Sequence, residues 1–238
     1  MIFHKYKTIF IHIPKAAGQS VEAYFLGLED LSWSERLPLL LTPNDEPSIG
    51  PPRLAHMQLQ EYLDNYYVSE ELFEQYYKFG FVRNPWSRAV SFYKFHGHHH
   101  LMSFERFVDK ALPKLIKTEG WFYGPQYDFF YRDGVNQADF IGKFESLQDD
   151  FKSVCAALDI PATGLPHRNK STEKGGLAGL KKFGNRFLYR PQILPALLFR
   201  KGDKVKSKNF RDYYTPELVV KVQTLYAKDV EAFGYSFE

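Results

Sequence analysis

The sequence predicts an α/β fold with a central, mostly parallel sheet flanked by helices. Three observations carry this. Short apolar runs at 7–13, 77–82 and 138–144 read as buried strands. The first two pass through a tight loop into an amphipathic stretch, and the third runs into a further helical segment. Strand-helix alternation of this kind makes parallel sheets. At 238 residues the chain suits one domain, and no linker interrupts it.

The first strand, KTIFIHI, is rich in β-branched and aromatic residues and stops at Pro14. The loop PKAAGQS follows, and 18–28 reads as a helix. Prolines 38, 43, 47, 51 and 52 then mark a long surface connection. HMQLQEYLDNYY and SEELFEQYY look helical, the second capped by Ser69. The second strand, YKFGFV, ends at Arg83-Asn84-Pro85, and Pro85 suits the first position of the helix WSRAVSFYKF. Ser103 caps a short helix that Pro113 should end. ADFIGKF is the third strand, and Glu145 to Leu158 a helix. Thr215-Pro216-Glu217 opens a final helix reaching about Phe233, closed by Gly234.

Composition excludes several classes. Apolar residues make up 44% and charged residues 25%, ordinary globular usage. The single cysteine, Cys155, excludes a disulfide framework and a cysteine-based metal site; it lies among apolar residues and reads as a core thiol. No run reaches the ~18 apolar residues of a membrane span. Lys5, Lys7 and His12 interrupt any signal-peptide core, so a cytoplasmic protein is expected. The net charge of +3 is uneven. Residues 174–211 hold eleven Lys or Arg against Asp203 alone, which is +10 and leaves −7 for the remainder. That argues against a chain-wide surface for duplex nucleic acid and marks a local basic element.

Two loops carry the chemistry. In PKAAGQS a strand feeds a small-residue loop that opens a helix, so backbone N–H groups and the positive helix end converge on an anion. Ala16, Ala17 and Gly18 permit close approach, Lys15 adds charge, and Ser20 adds a hydroxyl donor. The Walker A pattern is not met, because Lys15 precedes Gly18 and only one glycine is present. In FGFVRNPWSRAVSFY, Arg83 leaves a strand end and Ser91 follows eight positions on. Together they could clamp a second anion.

IFIHIPKAAGQSV resembles the 5′-phosphosulfate loop of sulfotransferases that use 3′-phosphoadenosine 5′-phosphosulfate (PAPS). FGFVRNPWSRAVSFY resembles their 3′-phosphate motif, and FIGKFESLQDDF, LPHRNKS and YAKDVEAFGY resemble the carbohydrate sulfotransferase branch. The resemblance implies a P-loop-like α/β domain with PAPS as co-substrate and no metal. It implies an acceptor hydroxyl, favoured as a carbohydrate's. It gives Lys15 to the leaving phosphate; Gly18, Gln19 and Ser20, beside Ala16 and Ala17, to the 5′-phosphate side; Arg83 and Ser91 to the 3′-phosphate. Arg168, Asn169, Lys170 and Ser171 correspond to a loop closing over the nucleotide. Ala16 stands where many relatives have Thr, and against compact relatives the basic stretch 174–211 resembles a helical insertion.

Transfer to a hydroxyl calls for a base near neutral pH. His56, in RLAHMQLQEYL, resembles the histidine that relatives place near a helix start, and His12, inside the first strand, reads as structural. HGHHH at 96–100 reads as a solvated helix terminus rather than a metal site. Trp121, Tyr123, Gln126 and Tyr127 could stack on a sugar or pack the core. Two alternatives remain open: a nucleotide- or anion-binding protein without transfer activity, and a peripheral membrane module built on 174–211.

Overall fold

The computed structural model describes residues 1–166 and 209–238. Arg168, Asn169, Lys170 and Ser171, and the basic stretch as far as residue 208, lie outside the described residues.

Four strands form a mixed sheet in the order β1-β2-β3-β6: β1 Ile2–Phe3, β2 Thr8–Ile11, β3 Tyr77–Val82 and β6 Phe140–Lys143. β1 runs antiparallel to β2, whereas β2, β3 and β6 are parallel. A separate hairpin pairs β4, Tyr131–Arg132, with β5, Val135–Asn136. The parallel core follows from the expected strand-helix units. Side-chain alternation divides its residues between two faces. Phe10, Phe79 and Phe81 pack with Phe25 of α1 (Gly18–Leu28) and with Phe151 and Val154 of α8 (Leu147–Ala157). Ile9, Ile11 and Val82 pack on the opposite side with Met57, Leu59, Tyr62 and Phe130. A third cluster joins Trp86, Ala89, Val90 and Phe92 of α4 (Pro85–Phe95) to Phe104, Phe107 and Tyr123. All these side chains are buried, at ~1.5–3 kcal/mol for each large apolar one removed from water.

The strand expected at 7–13 is hydrogen-bonded only over Thr8–Ile11, and the one expected at 138–144 only over Phe140–Lys143. Four further expectations are corrected. The helix expected from His56 forms only as a single α-turn, α2, at Glu61–Asp64. His56 instead ends a 3₁₀ turn, and Met57 is extended. Leu59 N–H donates to the Phe129 carbonyl at 2.9 Å. Core burial of Met57 and Leu59 outside any helix wins over helical periodicity. After α3 (Glu70–Gln75), Ser103 does cap α5 (Phe104–Arg106), but Pro113 does not end the helix. A wide π-turn over Phe107–Ala111 leads into α6 (Leu112–Thr118), whose first turn takes the proline where no N–H is required. The single turn α7 (Gly120–Tyr123) follows. The final helix is two, α9 (Pro216–Leu225) and α10 (Ala227–Phe233). They are broken at Tyr226, which is fully buried and donates its hydroxyl to the Tyr123 carbonyl at 2.8 Å. Lastly, HGHHH is not a solvated terminus: His98 is buried, with Nε2 3.4 Å from the Tyr123 hydroxyl.

No helix among the described residues is long and apolar enough to cross a membrane.

Candidate active site

The carboxyl ends of β2 and β3 lie side by side because those strands are parallel neighbours, Ile11 opposite Gly80. Each strand end opens a helix, and the two loops touch. Arg83 Nη1 donates to the Lys15 carbonyl at 3.3 Å, and Arg88 Nε donates to the Pro14 carbonyl at 3.1 Å.

In the first loop Lys15 and Ala17 adopt left-handed backbone conformations, φ 70° and 67°. Neither is a glycine, so each costs ~1–2 kcal/mol. Ala17 is the N-cap of α1, and no side chain caps that helix end. Ser20 N–H turns back to the Ala17 carbonyl at 2.9 Å, and this helix end carries the positive pole. Ala16 and Gly18 are buried, Gln19 is exposed, and Ser20 is half-buried. Gly18 is required for a reason the sequence did not disclose: a Cβ there would stand 1.9 Å from the His12 ring. Lys15 Nζ lies 3.8 Å from the centroid of Phe95, a ring 44% exposed at the end of α4.

The second loop is pinned from several sides. Gln126, fully buried, accepts from Arg83 N–H and donates to the Arg83 carbonyl, both at 2.8 Å. Asn84 Oδ1 caps α4 by accepting from Trp86 and Ser87 N–H at 3.1 Å. The Arg83 guanidinium donates to Ser87 Oγ from Nε at 2.9 Å and from Nη2 at 2.7 Å, and lies over the Phe144 ring. Burial, followed by its neighbour Arg88, pushes its pKa down to about 10 against the pull of Glu145, so it stays charged at neutral pH. No carboxylate comes within 4.0 Å of it among the described residues. Ser91 is half-buried one helical turn beyond Ser87 on α4, and Arg83 stands four residues before Ser87, just ahead of the helix.

Arg88 is almost wholly buried and donates to three backbone carbonyls, those of Pro14, Phe122 and Gly124. Those bonds tie the first loop to the segment before Gln126. Asp229 of α10, also buried, accepts from Tyr127 N–H at 2.8 Å and from the Gln126 amide at 3.2 Å.

His56 sits beneath the first loop. Its Nδ1 is 2.9 Å from the His12 carbonyl. A carbonyl only accepts, so Nδ1 carries the proton and Nε2 keeps its lone pair. Burial, and after it the neighbouring His12, hold the His56 pKa well below the usual imidazole value. The ring is therefore neutral at pH 7, with a basic Nε2. Trp121 stacks on it at 5.7 Å and 28°. Of the other residues in the expected aromatic stretch, Tyr123 packs in the core, Gln126 holds Arg83, and Tyr127 stacks on Tyr131 at 4.1 Å.

Lys15, His56 and Arg83 thus converge on one strand-end region. Ser87, Arg88 and Glu22, the Gln126 bonds to Arg83 and the His12 contact with His56 were not read from sequence. Ser87 had a usable signal, its four-residue step from Arg83; the other contacts span long separations and had none.

A sequence model described as the Sulfotransferase family matches residues 1–236. The chain belongs to the sulfotransferase family. This sulfotransferase is also 33% identical over 98 residues to an uncharacterized protein of Archaeoglobus fulgidus, covering 40% of this chain and 77% of that one. No solved structure matches it.

Proposed function

We propose that the protein transfers a sulfuryl group from PAPS to an acceptor hydroxyl, favoured as a carbohydrate's, within a P-loop-like domain spanning 1–238. The observation that carries the reading is the convergence of an uncapped helix end, Lys15, Arg83 and a neutral histidine at adjacent parallel strand ends. The residues suit such a co-substrate. The start of α1 suits a 5′-phosphate side with Ala16, Ala17, Gly18, Gln19 and Ser20. Arg83, held by Ser87 and followed by Ser91, suits a separate phosphate. Arg168, Asn169, Lys170 and Ser171 stay with this proposal as a closing loop.

PAPS supplies the activated sulfuryl group. His56 Nε2 takes the proton of the acceptor hydroxyl as its oxygen bonds to sulfur. Lys15 offers charge to the phosphate oxygen released when the sulfur–oxygen bond breaks. By analogy with phosphoryl transfer, most of the work is positioning and charge stabilisation. The proposal includes no metal step.

Binding is tested by thermal shift with 3′-phosphoadenosine 5′-phosphate. A site for it stabilises the fold by about 2.7 kcal/mol at a hundredfold excess over Kd, whereas a membrane module or an unrelated anion site leaves the midpoint in place. Labelled PAPS screened against saccharides, phenols and peptides then identifies the acceptor. Failure of every hydroxyl compound in a protein that binds the nucleotide would favour the transfer-silent alternative.

A further inference from the structure

Two buried polar groups stand outside the reaction described above. Glu22 lies one turn into α1, four residues after Gly18, and its carboxylate accepts from His12 Nδ1. Burial alone would raise the Glu22 pKa, but His12, then the N-terminal amine and Arg53, outweigh it and hold the carboxyl below its ordinary value. The His12 ring occupies the hollow over Gly18. It also stacks on the Phe10 ring at 5.9 Å and meets the His56 ring, 4.5 Å away and inclined at 70°, while the His12 carbonyl holds His56 Nδ1–H. His56 is closed on a further side by Trp121.

We propose that Glu22 and His12 are positioning residues, which lock His56 in its Nδ1–H tautomer and couple it to the helix end that receives the sulfuryl donor. This rests on the reading of His56 as the base. A buried carboxylate is costly, and an apolar pair would fill the same core volume without that cost. This pair connects α1, one turn in from its start, to His56. With Glu22 on one side and Gly18 below, the His12 ring has one seat. Seated there, its edge restrains the His56 ring from turning, as groups that hold a histidine in one tautomer and orientation do in general.

The test uses the full chain and two readouts. Glu22→Gln keeps the shape and removes the charge. It should lower kcat ~10-fold or more while KM for PAPS and Kd for 3′-phosphoadenosine 5′-phosphate stay within about twofold. Nitrogen NMR of ring-labelled histidine should give a single Nδ1-protonated signature for His56 in the wild type and tautomer exchange in the variant. Should Glu22→Gln fail to fold, His12→Asn is read by the same two measurements. A folded variant with wild-type kcat and an unchanged His56 signature would overturn the proposal. The NMR readout needs no turnover, so failure here is distinct from failure of the sulfuryl-transfer reading, in which the wild type itself transfers nothing.

Discussion

The two strand-to-helix junctions of the site solve the same problem in opposite ways. At β2–α1 the helix begins with no side-chain cap, and two non-glycine residues are bent into left-handed backbone. At β3–α4 the helix begins on Asn84, whose amide oxygen takes two first-turn N–H groups, and Gln126 satisfies both backbone groups of Arg83. The first junction leaves its helix end, with the positive pole, uncapped by any side chain. The second satisfies its backbone internally and presents a guanidinium. An anion at the first would replace a missing cap, whereas an anion at the second would meet a charge already oriented by Ser87.

Altering the charge at the open junction should have the largest effect. Lys15→Ala should lower kcat ~10²–10³-fold, since the lost stabilisation is realised mainly in the transition state. Single-turnover rates with saturating PAPS measure it, and near-wild-type turnover would remove Lys15 from the chemistry. At the closed junction, Arg83→Ala should act on binding instead. Loss of a charge-assisted bond of ~1.5–3 kcal/mol weakens 3′-phosphoadenosine 5′-phosphate by ~10-fold or more, as read by calorimetry.

Stability changes sharpen the contrast. Gly18→Ala would place a Cβ 1.9 Å from the His12 ring, and overpacking of this kind costs ~1–3 kcal/mol. A denaturant midpoint shows it, and an unshifted midpoint would mean that the His12 ring moves freely. Asn84→Ala removes the cap of α4 for about 1 kcal/mol. No equivalent cap exists to remove at Ala17. There Ala17→Gly should instead raise the melting temperature slightly by relieving the left-handed backbone.

The smallest expected effect is in pH. The base must be neutral, and the His56 pKa lies below the ordinary imidazole value because of burial and His12. As pH falls, log kcat/KM should therefore hold its plateau through pH 6.5 and bend only at lower pH. A bend above 6.5 would point to another base. Neutral His56 is also the form the fold favours. Its stabilising contribution is present above the unfolded value near 6.5 and is lost as pH falls through the lower folded value.

Much of this was legible in the chain itself. The helices at 18–28 and 85–95 and the strand at 77–82 begin and end where Pro14, Gly18, Asn84 and Pro85 direct, because caps, prolines and short apolar runs act over a few residues. Lys15 and Arg83 could be singled out because strand-end loops of a parallel sheet have a fixed place in the architecture. The helix expected from His56 failed, since its periodicity was outweighed by core positions for Met57 and Leu59 that only the tertiary structure supplies.

Local chemistry in the sequence determined the strand-helix order, the two anion-suited loops and the residue types offered there. Tertiary structure alone decided that Glu22 meets His12, that His56 reaches the His12 carbonyl across 44 residues, and that Gln126 holds Arg83 across 43. Helical and strand periodicities report which side of an element is buried. A hydrogen bond between distant segments depends on how those elements pack, and no spacing along the chain encodes that partner.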